Sequence, residues 1–368
     1  AADLAIARRW LAAAARGDAR TQGLAAVIGQ VIAEDADATR ALAAIAVAED
    51  EEAAAVRAWG FAIVIDRLAA RAAWSDAVAV MSREVGVAPP TACALFASTD
   101  HGAWTLIALD AAGQPVGARG AAAADTAALD TGALAPGVVA ALASCPQVQV
   151  VARPPLHGQA SLLPAARPWA FVRGPATASI AAPARTVVIG DALPPPSLGL
   201  PALAPLAVPA GTDALRAAAA TPDAVLAALA DATYAELHVH GQVDLAVADA
   251  SFLALSPGAD GTWSLTAGAV RKARLRAAPV VVLAACRAAV VAPFQHARWS
   301  LPDAFLAAGA RAVIAPAVDI PDAEAGPFFD QIRARILGGE APAVAVAAVR
   351  AAAVARGQAW AASVVVFE

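Results

Sequence analysis

The sequence predicts an α/β protein whose mostly parallel sheet is flanked by helices on both faces and preceded by an α-helical N-terminal region. Residues 1–84 contain no proline and are rich in alanine, leucine and arginine, which is typical of helices. From residue 213 onward, short apolar runs alternate with longer alanine-rich segments. Such alternation is typical of buried parallel strands connected by helices.

The composition excludes several classes of protein. The chain has 368 residues, enough for more than one domain and a large core. Charged residues make up 15%, against about 25% in an average soluble domain, so intrinsic disorder is excluded. A pI near 5.6 argues against a nucleic-acid-binding domain. The single lysine, Lys272, is followed by Ala273, which excludes a Gly-Lys-Ser/Thr phosphate-binding loop.

Cysteine usage and hydropathy indicate a compartment. The three cysteines are Cys93, Cys145 and Cys286, and this low, odd number predicts neither a disulfide framework nor a metal site. We expect no signal peptide at the start of the chain. Residues 192–212 carry no charge but contain six prolines, so they predict a long surface loop rather than a spanning helix. Together these features predict a cytoplasmic protein without membrane contact.

The predicted elements follow in chain order. Helix breaks are expected at Gly17-Asp18 and around Asp35. Glycine and proline appear at 86–90, where the composition stops being typical of helices, so we predict a helical region over 1–85. Strands are predicted at 93–98, 104–109, 148–152, 185–189, 235–239, 279–284, 312–315 and 363–367, with a hairpin at 251–255 and 262–265. Further helices are predicted at 213–219, 222–230, 301–308, 323–337 and 341–355.

Two of the predicted strands end in reactive residues. His240 and Gly241 follow strand 235–239, and Cys286 follows strand 279–284. Reactive groups collect at the carboxyl ends of parallel strands, so neighbouring strands would bring His240 and Cys286 together. A thiolate nucleophile beside an imidazole base suits acyl transfer, with the backbone N–H groups of Gly241 and Cys286 available to an oxyanion. This chemistry requires no metal, and we expect no cofactor.

Simpler interpretations remain open at these positions. Free cysteines are usually buried packing residues, which would leave Cys286 without a chemical role. His238 and His240 form a His-x-His pair, but a metal site needs more ligands than this region offers. For His238 we therefore expect packing or hydrogen bonding inside the sheet. For His101, His157 and His296 we expect structural or exposed positions.

Three aspartates are candidates for substrate binding. Asp319 and Asp322 follow strand 312–315, and Asp244 follows the histidine loop. A carboxylate in such a place could pair with a basic side chain of the substrate. The alternative for Asp322, which we favour, is that it caps the helix beginning at 323. The basic residues between Arg271 and Arg276 are interpreted as a solvated helix face and loop, or alternatively as a loop that the enzyme itself cleaves.

Several stretches occur in the same order as in one known family. They are the histidine-glycine strand end at 238–241, the hairpin 252–256 with 265–267, the cysteine strand 282–288, the segment 300–315, and the tryptophan before the last strand at 360–362. Leu156-His157 with Leu163-Pro164 resembles that family's non-catalytic half. From about residue 86 to its end, the sequence resembles the CHAT domain, a group of caspase-like cysteine peptidases often joined to tetratricopeptide repeats.

The resemblance implies a fold and an activity. The implied fold is caspase-like, with a degenerate half at 86–183 and a catalytic half at 184–368. Cys286 would be the nucleophile and His240 its base in a cysteine endopeptidase that cleaves a protein or peptide. An activator could bind 1–85, and bacterial antiviral defence or cell death is the role that the family suggests. The resemblance implies no direct contact with nucleic acid or membrane.

The sequence also departs from the family pattern. The tryptophan-proline usual after the fifth strand is replaced by residues 316–321, so substrate specificity does not transfer. Residues 1–84 lack a readable tetratricopeptide pattern. The alternative function is a catalytically silent caspase-like scaffold or adaptor that binds partners through the helical N-terminus. Retention of both Cys286 and His240 argues against it.

Overall fold

The computed structural model describes the chain except for residues 1, 15, 46–50, 101, 122–130, 173–183, 248 and 293–299. His101 and His296 therefore lie outside the described residues. The described residues divide into two compact units, one within 1–145 and 149–156, the other within 146–148, 157–292 and 298–368. The domain boundaries after residues 85 and 183 stay a prediction.

The N-terminal region is helical, as predicted. Its helices are α1 (Ala2–Ala14), α2 (Ala19–Ile32), α3 (Ala38–Ala44), α4 (Glu51–Ala70) and α5 (Trp74–Val85). Asp18 caps α2, because its carboxylate accepts a hydrogen bond from the Thr21 N–H at 2.7 Å. Helix α5 ends at Gly86, whose φ of 79° is the left-handed conformation that favours glycine.

The first unit also contains a small sheet. Its elements are β1 (Ala94–Asp100), β2 (Ala103–Leu109), β3 (Pro115–Ala121), α6 (Thr131–Leu134), α7 (Pro136–Ala141) and β4 (Val148–Ala152). The strands lie in the order β3-β2-β1-β4. Strands β1, β2 and β3 form an antiparallel meander, whereas β4 is parallel to β1.

The expectation from the cysteine count that this chain is not built on disulfides was wrong. Cys93 and Cys145 form a disulfide with their Cα atoms 5.5 Å apart. They lie far apart in sequence, but β1 and β4 pair in parallel, so Cys93 just before β1 and Cys145 just before β4 meet at the same end. The Cys93 carbonyl accepts from the Gln149 N–H at 3.0 Å. The cysteine count therefore no longer supports a reducing compartment.

A buried ion cluster ties the helices of this unit to its strands. Arg153, just after β4, donates to the Glu84 carboxylate at 2.8 Å, to the Asp100 carboxylate, and to the Ala58 carbonyl at 2.7 Å. Burial alone would lower the pKa of the guanidinium, but Glu84 and Asp100 outweigh it and raise the pKa of Arg153 above its usual range. The cluster joins α4 and α5 to the carboxyl ends of β1 and β4.

The second unit alternates strands and helices. Its elements are β5 (Trp169–Phe171), β6 (Thr186–Gly190), β7 (Asp213–Arg216), α8 (Pro222–Ala230), β8 (Tyr234–His238), β9 (His240–Gln242), β10 (Phe252–Ala254), β11 (Ser264–Thr266), α9 (Ala267–Lys272), β12 (Val280–Ala284), α10 (Leu301–Ala307), β13 (Ala312–Pro316), α11 (Asp322–Leu337), α12 (Pro342–Ala355) and β14 (Val364–Phe367). Short 3₁₀ turns cover Ala160–Leu162, Pro196–Leu198, Ala217–Ala219 and Ala359–Ser363.

The strands of this unit confirm the predicted fold class. They lie in the order β5-β14-β13-β12-β8-β6-β7, and β9, β10 and β11 form a separate antiparallel ribbon. The pairs β12/β13, β12/β8, β8/β6, β6/β7 and β14/β5 are parallel, and β13/β14 is antiparallel. Val280, Val281, Val282 and Leu283 are all fully buried. Because consecutive residues point to opposite faces, both faces of the sheet are covered.

The predicted helix at 213–219 was wrong. The structure has strand β7 there, followed by a 3₁₀ turn, and β7 pairs in parallel with β6 through Val187 and Asp213. The alanine-rich composition favours a helix, but pairing at the sheet edge outweighs this weak local preference. None of the described helices combines the length and apolar character needed to cross a membrane.

Candidate active site

Strands β8 and β12 are parallel neighbours, which meets the condition under which His240 and Cys286 were expected to come together. His238 at the end of β8 lies opposite Ala284 at the end of β12. His240 and Cys286 each follow two residues later, at the same carboxyl edge of the sheet. Both line one pocket of about 650 Å³. The structure therefore brings the proposed base and nucleophile to one site, and their catalytic roles stay a prediction.

Gly241 allows the histidine and cysteine loops to approach closely. A Cβ atom at residue 241 would lie 2.7 Å from the Cys286 carbonyl oxygen and 3.6 Å from the Cys286 nitrogen. Strand β9 is fixed by β10, which pairs Leu253 with Gly241 and Ala254 with His240. Any side chain at 241 would therefore push β9 away from Cys286. The oxyanion role of the two backbone N–H groups stays a prediction.

The chain turns sharply after Cys286. Arg287 has a φ of 55°, and a non-glycine residue in this left-handed region costs about 1 kcal/mol or more. The Arg287 N–H donates to the Val318 carbonyl at 3.0 Å, and the Cys286 Sγ lies 3.9 Å from the Ile320 carbonyl oxygen. The cysteine loop is thus held against the segment that follows β13.

The His240 ring contacts the proline-rich loop. Its Nε2 lies 2.8 Å from the Pro201 carbonyl oxygen. A carbonyl oxygen can only accept, so the ring donates its Nε2 proton to it. The predicted base is therefore already engaged by another part of the same unit.

His238 belongs to a buried polar cluster, as expected. Its Nε2 bonds the Glu236 carboxylate, which also accepts from the Tyr234 hydroxyl at 2.9 Å and from Arg333 at 3.0 Å. Burial alone would raise the pKa of Glu236, but the contacts with His238, Arg333 and Tyr234 outweigh it and lower that pKa. Burial, followed by the Glu236 charge, raises the pKa of Tyr234.

The three predicted aspartates have different surroundings. Asp322 lines the pocket, and its carboxylate accepts from the Ala204 N–H. The expectation that Asp322 caps the helix was wrong, because α11 already begins at Asp322 and Pro321 is its N-cap residue. Asp319 is exposed and is not part of the pocket lining. Asp244 is half-buried outside the lining, where it accepts from its own loop's N–H groups at 2.8 and 3.0 Å.

Two further aspartates that line the pocket were missed. Asp191 follows β6 with a φ of 50°, and its carboxylate accepts from Arg216 at 2.6 Å. Its place after a buried strand is the same signal that located His240 and Cys286. Asp330 pairs with Arg333 on α11, and nothing in the sequence marks it. Among the described residues that line the pocket there is no lysine or arginine.

The other charged candidates have structural partners. Arg271 forms two hydrogen bonds with Asp249, at 2.8 and 3.0 Å, and Arg276 forms two with Asp231, at 2.7 and 3.0 Å. His157 is buried, and its ring lies 4.7 Å from the Phe171 ring. These contacts agree with solvated or structural roles rather than chemical ones.

Comparison with known proteins identifies the family. The CHAT domain matches residues 106–367, which is more than half of the chain. The chain belongs to the CHAT-domain family. The match covers both strands of the candidate site, whereas the helices α1 to α5 precede it. No curated protein matches the chain.

A solved structure shows a weak likeness to this CHAT protein. The separase–securin complex of Saccharomyces cerevisiae has 11% sequence identity and a TM-score of 0.40. The alignment covers 60% of this chain and 15% of that chain. At that TM-score the likeness carries no inference about function.

Proposed function

We propose that this CHAT protein is a caspase-like cysteine endopeptidase. His240 takes the thiol proton of Cys286, and the thiolate sulfur bonds to the scissile carbonyl carbon. As the C–N bond breaks, the proton passes from His240 to the leaving amine, and water then hydrolyses the thioester. The N–H groups of Gly241 and Cys286 would hold the oxyanion. The observation that carries the proposal is that Cys286 and His240 end adjacent parallel strands at one pocket.

The charges of the pocket support a preference for a basic substrate side chain. Asp322 lines it and accepts from a backbone N–H, whereas Asp191 and Asp330, which also line it, already pair with Arg216 and Arg333. A carboxylate pairs well with an arginine or lysine of the substrate in a partly desolvated pocket. Asp319 and Asp244 remain weaker candidates for this task, because neither lines the pocket.

The remaining parts of the proposal rest on family analogy. They are a bacterial origin, a cytoplasmic location, a role in antiviral defence or cell death, and regulation by an activator or by processing. The helical residues 1–85 would dock that activator. The alternative, a silent caspase-like scaffold, is favoured only by the engagement of His240 with Pro201.

A peptide library varied at the residue before the scissile bond tests the peptidase. We expect the wild type to cleave after basic residues and Cys286→Ala to lose about 10³-fold or more of this activity. Asp322→Asn should weaken binding of basic peptides more than binding of neutral ones. Equal cleavage by wild type and Cys286→Ala would contradict the assignment of Cys286.

A further inference from the structure

Part of the proline-rich loop lines the proposed catalytic pocket. Residues 201–207, here called the strap, all line the pocket together with His240 and Cys286. The strap carries no charged side chain, and most of its residues are exposed. Its contacts with the pocket are therefore apolar or are made by its backbone.

Three polar contacts hold the strap, and each uses a side chain of the pocket. The Pro201 carbonyl accepts from His240 Nε2 at 2.8 Å. The Ala204 N–H donates to the Asp322 carboxylate, and the Leu206 N–H donates to the Asp191 carboxylate at 3.1 Å. On the strap's side these contacts use backbone groups of a segment that is neither helix nor strand, and a bound peptide also makes contacts through its backbone.

One apolar contact anchors the strap. Leu206 is 8% exposed, and a Cβ atom at Gly190 would lie 2.8 Å from its Cδ2. Gly190 at the end of β6 therefore makes room for the Leu206 side chain. Since Leu206 is the buried residue of the strap, the other strap residues can leave the pocket without exposing a large apolar area.

We propose that the strap is an internal blocking ligand of the pocket. This inference rests on the proposed function, because it places the strap where the substrate peptide would lie. While Nε2 of His240 donates to Pro201, only Nδ1 of the ring can accept the thiol proton of Cys286, so the contact occupies one of the two nitrogens that could serve as the base. A substrate or an activator must displace the strap, so the resting protein has low activity that rises when the strap is released.

Two matched loop variants test the strap. The released variant changes two prolines and two leucines of the strap: Pro201→Gly, Leu203→Ser, Pro205→Gly and Leu206→Ser. The control makes the same changes in the same loop outside the pocket lining: Pro195→Gly, Pro196→Gly, Leu198→Ser and Leu200→Ser. Both keep every side chain of the proposed catalytic pair and of its acidic neighbours.

The rate of Cys286 labelling by a bulky maleimide reports the strap without relying on peptidase activity. Cys286 is the free cysteine, because the other two form the disulfide. Without reductant, mass spectrometry can follow its alkylation in the full-length protein. The substitutions keep the three backbone contacts but remove the Leu206 anchor and let the loop adopt many more conformations when it is free, so the strap should leave the pocket more often and labelling should speed up about tenfold or more in the released variant. The control should label at the wild-type rate.

Labelling and cleavage together distinguish the two proposals. Faster labelling with faster peptide cleavage in the released variant supports both. Faster labelling without cleavage by any variant supports the strap and overturns the peptidase. Equal labelling of wild type, control and released variant overturns the strap, and Cys286-dependent cleavage then decides the peptidase separately.

A single substitution tests the strap with less change to the loop. Ala204→Pro removes the N–H that bonds Asp322, and Ala202→Pro is its control at a strap position that makes none of the three contacts. We expect Ala204→Pro to label Cys286 several-fold faster than Ala202→Pro, as the loss of one hydrogen bond implies. Identical rates for the two variants would overturn the proposal.

Discussion

Two parallel strand pairs in this protein end in very different ways. In the first unit, the carboxyl ends of β1 and β4 are closed by Arg153 with Glu84 and Asp100, all buried. In the second unit, the carboxyl ends of β8 and β12 open into the pocket that His240 and Cys286 line. The same strand geometry thus supports a sealed ion cluster in one place and a candidate reactive site in the other. Topology indicates where a site can lie, and only the residues decide whether one does.

The largest effect is expected from breaking the buried ion cluster that closes the ends of β1 and β4. Arg153→Met removes the partner of two buried carboxylates and should lower the free energy of unfolding by about 3–5 kcal/mol. Arg40→Met is the control, because the Arg40 pair with Asp37 is largely exposed and should contribute little. Denaturant unfolding measures both. Equal, small losses for the two variants would show that the buried cluster is not a stabilising link.

A smaller effect is expected at the open end, on activity rather than stability. Gly241→Ala places a methyl group 2.7 Å from the Cys286 carbonyl oxygen and should shift the histidine loop. A misplacement of the histidine loop by about 1 Å should lower kcat about 10²-fold. Gly29→Ala in α2, where a Cβ meets nothing within 4 Å, is the control. Unchanged kcat in Gly241→Ala would contradict the close approach as a requirement of the site.

The smallest effect is expected on the pH dependence of stability, through the buried polar cluster around Glu236. The pKa of Glu236 is lowered in the folded protein from an ordinary value of 4.5. A lowered carboxyl pKa adds stability above the ordinary value, and this contribution is lost as the pH falls through the folded pKa. The stability advantage of wild type over Glu236→Gln should therefore shrink below about pH 4.5. A difference in the free energy of unfolding between the two proteins that stays constant from pH 7 to pH 3 would contradict a lowered Glu236 pKa.

The sequence was informative about strands and their ends. The apolar runs at 235–239 and 279–284 predicted buried strands, and His240 and Cys286 were expected to meet if these strands were neighbours. The order of CHAT-like stretches added the family. Both inferences depend on local pattern, and local pattern specifies buried strands well.

The features that were missed depend on long-range packing. The position of residues 201–207 in the pocket lining leaves no periodic signal, because the loop has no regular structure of its own. Cys93 and Cys145 meet only through the pairing of β1 with β4. Asp330 reaches the pocket through the rotation of α11, and a sequence cannot indicate that rotation without the sheet against which the helix packs.

The most direct test of the central claim is a double-mutant cycle on peptide cleavage with Cys286→Ala, His240→Ala and the double variant, made in both the wild-type and the released-strap chain. If the two residues act as one unit, each single substitution should lower kcat/KM about as much as the double one, by about 10³-fold or more. Losses that simply add, or an active His240→Ala variant, would contradict a shared Cys286–His240 site.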